Sequence, residues 1–306
     1  MNSVNFVILG DSSISSQLGK KGTATDIVIY DRKTADTVYT WATPVGDKIQ
    51  SLMQVINMAE YAILNVAKLD KFLGEQIMAL DSVGPADGFI LHSYEVDRDK
   101  LKTLVKGTAL ANYKFLDSVD ELKQQITTLK PKSAEGPLTI PVDHAFEVKG
   151  VGTVALGVVK EGTVKVYDEL VLLPGKKNVI VKSIQMHDDP VQSSSSPARV
   201  GLAIKGAAAD DISRGDMICA PDAAKVSSGA VVAKFAKSPF FKGDLPDNHT
   251  YMISVGMQVK AARVKFAGET LQVTPEKPIV YKQGQSLVLL KPDNQGTRIA
   301  GKGLIQ

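Results

Sequence analysis

The sequence predicts an α/β domain followed by two all-β barrels, and three observations carry that expectation. In roughly the first 130 residues, short β-branched runs alternate with segments of helical spacing, the pattern of helices layered on a largely parallel sheet. Residues 130–137 are polar and carry Pro131 and Pro137, the composition of an interdomain linker. Beyond them the helical spacing disappears, and short strands punctuated by glycine take over, as in β-barrels. The 306 residues divide into an α/β domain at 1–132, a first barrel at 137–222 and a second at 223–306.

Each element has its own signal. Strands are expected at 5–9, 26–30, 37–41, 61–66, 88–92 and 113–116. Ile49, Leu52, Met53, Ile56 and Ala59 recur at helical spacing within 48–59. Phe72, Ile77 and Leu80, and then Leu101, Leu104 and Val105, repeat the pattern in the next two helices. A last helix, 118–129, opens with Ser118 and Glu121 at capping-box spacing. In the β region, strands are expected at 154–159, 169–173, 178–184, 200–204, 230–235, 252–255 and 279–281, with a break near 221–228 between the barrels. The serine run 192–197 reads as a loop that contributes neither core nor chemistry.

Composition excludes several classes. With 44% hydrophobic and 23% charged residues the chain is neither disordered nor fibrous. No apolar run approaches the ~18 residues of a membrane helix, and residues 1–9 lack a basic leader. A cytoplasmic protein with no membrane partner is expected. The single cysteine, Cys219, lies in an apolar run and reads as a buried structural thiol. His92, His144, His187 and His249 are too scattered for a metal cluster. Charge is uneven: residues 224–306 carry 12 Lys and Arg against 5 Asp and Glu, a balance of +7 within a net +3. That points the C-terminal third toward a polyanion.

Val142-Asp143-His144-Ala145-Phe146-Glu147 through Gly150-Val151-Gly152-Thr153 is followed by Glu161-Gly162-Thr163-Val164, then by Val166-Tyr167-Asp168-Glu169-Leu170. Lys182-Ser183-Ile184-Gln185-Met186-His187, Arg199-Val200-Gly201 and Arg214-Gly215-Asp216-Met217-Ile218 come next. In this order the set resembles the second domain of translational GTPases: elongation factor Tu, its counterpart 1-alpha, and especially the selenocysteine-specific factor. The glycines serve tight turns and bulges, so these residues speak for fold before chemistry. The last third resembles the family's third domain through Lys237-Ser238-Pro239, His249, Gly256 with Gln258, and residues 298–305.

The resemblance implies a GTP site in the first domain, and the sequence departs from its pattern. A phosphate loop needs G-x-x-x-x-G-K-[ST] directly after the first strand. Gly10 is present, but Ser15 stands at the second glycine, Ser16 at the lysine and Gln17 at the Mg²⁺-binding hydroxyl. Gly19-Lys20-Lys21-Gly22 has suitable letters at the wrong distance from the strand. At the switch I end the metal-binding threonine position reads Ala24, between Thr23 and Thr25. The D-x-P-G-H element reads Ala42-Thr43-Pro44-Val45-Gly46-Asp47, and the guanine-reading N-K-x-D element reads His92-Ser93-Tyr94-Glu95. Phosphoryl transfer depends on positioning and charge neutralisation, so these changes imply a degenerate, P-loop-GTPase-like domain that has lost hydrolysis.

The chain is therefore expected to bind tRNA or the ribosome as a translation-factor-like protein, with no catalytic residue, no metal, no cofactor and no DNA partner. RNA-binding candidates are Lys234, Lys237, Lys242, Lys260, Arg263, Lys265, Lys282 and Arg298, with Phe240, Phe241, Tyr251 and Tyr281 near enough to stack. Two alternatives stand beside this expectation. One is a working GTPase that holds GTP and Mg²⁺ through Gly10, Ser15, Ser16, Lys20 or Lys21; the other is a module that docks on an active translation factor. Among single residues, His92 reads as a strand-end histidine bonded to backbone, and Trp41 as interdomain packing in preference to base stacking. Ser12, Ser13, Ser15 and Ser16 read as a polar turn with a helix cap.

Overall fold

Near-continuous apolar runs become strands covered on both faces. The computed structural model describes Met1–Gln306 and divides into two units. The first comprises Met1–Pro131, Lys237–Leu245 and Val288–Lys302; the second comprises Lys132–Ala236, Pro246–Leu287 and Gly303–Gln306.

In the first unit, β1 (Asn2–Gly10) leads through a 3-10 turn at Ser12–Ile14 into the single helical turn α1 (Ser15–Leu18). Then come β2 (Lys20–Ala24), β3 (Ile27–Lys33), β4 (Thr37–Pro44), α2 (Ile49–Met58) and β5 (Tyr61–Val66). The domain continues through α3 (Lys71–Val83), β6 (Gly88–His92), α4 (Arg98–Val105), β7 (Lys114–Phe115) and α5 (Val119–Thr128). The sheet order is β2-β3-β4-β1-β5-β6-β7, with β4 to β7 all parallel to β1 and β3 antiparallel to its neighbours. Buried runs on β1 and β5 are what such a helix-covered sheet demands.

Parallel register places Phe6 beside both Trp41 and Tyr61. Phe6 and Trp41 stack at 5.8 Å, and Tyr39 lies 6.1 Å from Trp41 on the same face. Leu122 and Ile126 of α5 cover this face. Trp41 is thus a core residue in mid-strand, 0% exposed, and not the interdomain or stacking residue that its polar neighbours suggested. Ser118 caps α5 by accepting from Glu121 N–H at 3.1 Å, while the Glu121 carboxylate accepts from Asp117 N–H at 3.0 Å, one residue before the expected position.

In the second unit the strands are β8 (Thr139–Val148), β9 (Gly152–Val158), β10 (Thr163–Lys165), β11 (Glu169–Leu173) and β12 (Lys177–Met186). They continue with β13 (Asp189–Val191), β14 (Ser193–Ser195), β15 (Arg199–Lys205) and β16 (Met217–Cys219). The order β11-β16-β8-β9-β15-β12-β13, with β11 also paired to β12, closes six of them into a barrel. The serine run corrects its sequence reading: Ser193–Ser195 is a strand paired with β10, and Ser194 and Ser196 are buried.

The remaining strands are β17 (Lys225–Val226), β18 (Val231–Lys237), β19 (His249–Val255) and β20 (Gln258–Ala267). After them come β21 (Thr270–Pro275), β22 (Val280–Tyr281), β23 (Ser286–Leu290) and β24 (Ile299–Ile305). Six of these close a second barrel in the order β18-β21-β20-β19-β23-β24, while β17 pairs with β22. A mixed α/β sheet followed by two six-stranded barrels is the predicted fold class. No helix is long and apolar enough to cross a membrane.

Candidate functional site

In an α/β sheet, ligands collect where successive connections leave toward opposite sides, outside the carboxyl ends of the strands. Here that place lies between β1, whose connection leads toward β4, and β5, whose connection leads toward β6. A cavity of about 300 Å³ opens there, lined by Gly10, Asp11, Asn65, Lys68, Asp70 and Phe72 among others. Gly10 has φ +81°, and a Cβ on it would lie 2.0 Å from the Asn65 carbonyl oxygen, so only glycine fits. Asp11 N–H donates to that carbonyl at 2.8 Å, and the Asn65 side-chain amide donates to the Asp11 carbonyl at 2.8 Å.

The Asp11 carboxylate then turns onto its own chain. It accepts from Ser13 N–H and from the Ser13 hydroxyl, both at 2.9 Å. Ser16 donates to the Ser13 carbonyl at 3.1 Å, and Ser15 is wholly buried. The seryl cluster is therefore a capped polar turn, with Asp11 as the capping residue. Lys68 lies at the cavity rim, 3.2 Å from Asp70. The Leu73 N–H bond to Asp70 holds its carboxyl below the usual carboxylate range. Sequence reasoning passed over Asn65, Lys68 and Asp70; the signal available was their place at the carboxyl end of the strand expected at 61–66 and just beyond it.

The other nucleotide-element positions are scattered along the sheet. Lys20 and Lys21 are exposed on β2, the edge strand, paired with Asp31 and Tyr30. Three strand spacings of about 4.8 Å separate β2 from β1. Ala24 ends β2, and Ala42 is buried opposite Val7. His92 Nδ1 lies 3.0 Å from the Ser93 carbonyl oxygen, the backbone contact expected for it.

Of the eight basic candidates, three share one surface. Side chains alternate along β20, so Ala262 and Val264 point inward while Arg263 and Lys265 point out. Arg263 and Lys265 lie opposite Thr274 and Gln272 of β21, and Lys234 of β18 lies opposite Thr270 of the same strand. Arg263 Nε donates to Asn248 Oδ1 at 2.9 Å, and Lys234 sits 3.9 Å from Glu269 with both side chains largely exposed. The other five are elsewhere or engaged. Lys237 and Lys242 belong to the first unit, where Lys237 Nζ donates to the Gly243 carbonyl at 3.2 Å. Lys260 Nζ donates to the Pro278 carbonyl at 2.7 Å; burial lowers its pKa, with Asp216 opposing. Lys282 is paired with Glu161, and Arg298 with Glu75 and Asp47. Phe240 is 57% exposed while Phe241 is buried; both lie in the turn after β18, where Phe241 N–H donates to the Ser238 carbonyl at 3.1 Å, and not on a strand. Tyr251 is also buried, with its hydroxyl donating to the Pro246 carbonyl.

The motif at the start of the first barrel holds structure. Asp143 is 1% exposed and takes Arg199 Nε at 3.0 Å, an Arg199 terminal nitrogen at 2.8 Å and His144 Nδ1 at 2.6 Å. Arg214 Nε donates to the Asp143 carbonyl at 3.0 Å.

Comparison with known proteins fits this architecture. Residues 152–219 match the family model described as elongation factor Tu domain 2. An uncharacterized protein of Methanocaldococcus jannaschii is 33% identical over 295 residues, covering 95% of each chain. Elongation factor 1-alpha of Methanosarcina mazei is 32% identical over 184 residues, 58% of this chain but only 42% of that protein's length. Among solved structures, elongation factor SelB of Methanococcus maripaludis, in complex with the GTP analogue GppNHp, superposes with a TM-score of 0.85 at 23% identity. That match covers 100% of this chain and 79% of the other. The sheet order, the two barrels and these similarities agree: the chain belongs to the translational GTPase-like superfamily.

Proposed function

We propose that this protein works with the translation machinery as an RNA-binding relative of the elongation factors that does not hydrolyse GTP. The observation that carries the reading is the turn after β1. Where a phosphate loop would offer a lysine and free backbone N–H groups, this chain places Ser16 and a carboxylate, Asp11, that already takes the Ser13 N–H. Polyphosphate would meet Asp11 and Asp70 across the cavity with Lys68 alone to offset them. The helix that follows is a single turn, too short to offer a useful dipole. The residues present do not fit GTP with Mg²⁺, and no catalytic step is assigned to them.

The RNA side of the reading rests on Lys234, Arg263 and Lys265, gathered on one barrel face amid threonine and glutamine side chains. Such a face contacts phosphates without reading sequence. A gel-shift titration with tRNA across a salt series tests it. Binding at low salt should weaken with a log–log slope of about −2 to −3, as three displaced counterions require. Lys234→Ala, Arg263→Ala and Lys265→Ala combined should flatten that slope. Absence of binding at low salt, or binding indifferent to salt, would contradict the reading. The same reading places the protein in the cytoplasm, with tRNA or the ribosome as partner.

A further inference from the structure

In the turn between β10 and β11, Asp168 N–H donates to the Lys165 carbonyl at 3.2 Å, and Tyr167 stands at the third position with φ +73°. Val166 has no positive φ, so the turn is of type II, whose third residue is ordinarily glycine or asparagine. A bulky side chain there is strained. The turn is nevertheless firmly held. Lys165 N–H donates to the Asp168 carboxylate at 2.8 Å, Tyr167 N–H to the Val181 carbonyl at 2.7 Å, and Val181 N–H to the Asp168 carbonyl at 3.1 Å. The ring itself is not buried: Tyr167 is 77% exposed. The fold keeps an aromatic ring in solvent at a position where glycine would sit at ease.

The surroundings of the ring are cationic. Val181 receives the Tyr167 N–H, and its neighbours Ile180 and Lys182 both point outward. Ile180 is flanked by Glu169 of β11 and Lys205 of β15. Lys165, at the start of the turn, is exposed beside Ser193 on the β10–β14 pair. Lys165, Lys182 and Lys205 are all exposed and none forms an ion pair, and the acids among them are Asp168, whose carboxylate takes the Lys165 N–H, and Glu169. A flat ring with unpaired lysines and serine hydroxyls beside it is the chemistry that receives an unstacked base and its flanking phosphates.

We propose that Tyr167 is a stacking platform for a single-stranded nucleic acid base, with Lys165, Lys182 and Lys205 contacting the backbone on either side. This goes beyond the phosphate-contacting face of the second barrel and rests on the RNA-binding reading above only in the class of partner. Duplex RNA hides its base faces, so the platform selects single strands.

The test is fluorescence anisotropy with a labelled oligouridylate and a labelled RNA duplex of the same length. It compares the wild-type protein, Tyr167→Gly, Tyr167→Phe and the combined Lys234→Ala, Arg263→Ala, Lys265→Ala variant. The expected result is tighter binding of the single strand by wild type, and a loss of about 5- to 150-fold in Tyr167→Gly, the range of one stacked base. Duplex affinity should be unchanged in Tyr167→Gly, and Tyr167→Phe should bind the single strand as wild type does. Glycine suits φ +73°, so Tyr167→Gly should melt no lower than wild type, which separates lost stacking from lost fold. Equal single-strand affinity in wild type and Tyr167→Gly would overturn the proposal. So would equal wild-type affinity for strand and duplex. An unchanged salt slope in the triple variant would instead count against the second-barrel face and leave Tyr167 unaffected.

Discussion

Arg298 closes on Glu75 from two directions: its Nε and its own backbone N–H each donate to Glu75 Oε2 at 2.9 Å. The guanidinium also donates to the Asp47 carbonyl at 2.9 Å, and Glu75 is only 6% exposed. Hydrogen bonding to Glu75, opposed by burial and helped by Asp47, raises the Arg298 pKa. An arginine expected on sequence to face RNA is instead bound into α3, within the first unit. Lys302 does the same nearby, reaching Asp81 at 3.1 Å.

Removal of the guanidinium leaves a buried carboxylate without its cation. Arg298→Ala is therefore expected to destabilise by about 3–5 kcal/mol, the cost of breaking a buried pair. Urea unfolding should show a lower midpoint at unchanged slope. tRNA affinity per folded molecule should stay the same; a selective loss of affinity without loss of stability would return Arg298 to the RNA surface.

Asp143 sets the acid limit of the first barrel. Burial opposes its ionisation most strongly, yet Arg199 and His144 outweigh burial and bring the carboxyl down to about 2 from its usual 3.8. A carboxyl lowered on folding adds stability above its unfolded value, and that stability is lost as pH falls through the folded value. The loss should come between pH 3.8 and about 2 and amount to ~2 kcal/mol. Asp143→Asn should be less stable at neutral pH and should lose stability less steeply across that window, as denaturant melts at stepped pH would record.

Gly10 and Gly46 make a matched pair. Both have positive φ, +81° and +70°, but a Cβ at Gly46 meets nothing within 4 Å whereas at Gly10 it meets the β5 backbone. Gly46→Ala should cost about 1–2 kcal/mol from backbone strain alone. Gly10→Ala should cost clearly more, because β1 and Asn65 must separate. Equal costs by thermal melting would mean that the close approach is not what demands glycine.

Burial pushes the Cys219 thiol up to about 11, with Lys282 pulling weakly the other way. Native protein should resist iodoacetamide at pH 8 and react fully in urea. Rapid native labelling would mean that the first barrel opens.

Much of the fold was legible because its determinants are local. Residues 61–66 and 88–92 are apolar, β-branched and bounded by polar turns, and both form strands at those limits. The β20–β21 hairpin was missed because Arg263 and Lys265 on its outer face interrupt the apolar pattern that Ala262 and Val264 would otherwise show. Edge strand β2 carries Lys20 and Lys21 with a glycine, which reads as a loop until its partner β3 is in place. Arg298 and Lys282 could not be placed from sequence, since Glu75 and Glu161 lie 223 and 121 residues away along the chain. Charge counts reveal how many cations a segment has; only the fold reveals which of them are already paired.

On the proposed reading, the turn after β1 holds no nucleotide. Calorimetric titration with GTP and with GDP, each with Mg²⁺, addresses it most directly. Neither nucleotide should give saturable heat or thermal stabilisation. Saturable micromolar binding that is abolished by Lys20→Ala with Lys21→Ala would contradict it, by showing that the edge strand supplies the cation that Ser16 does not.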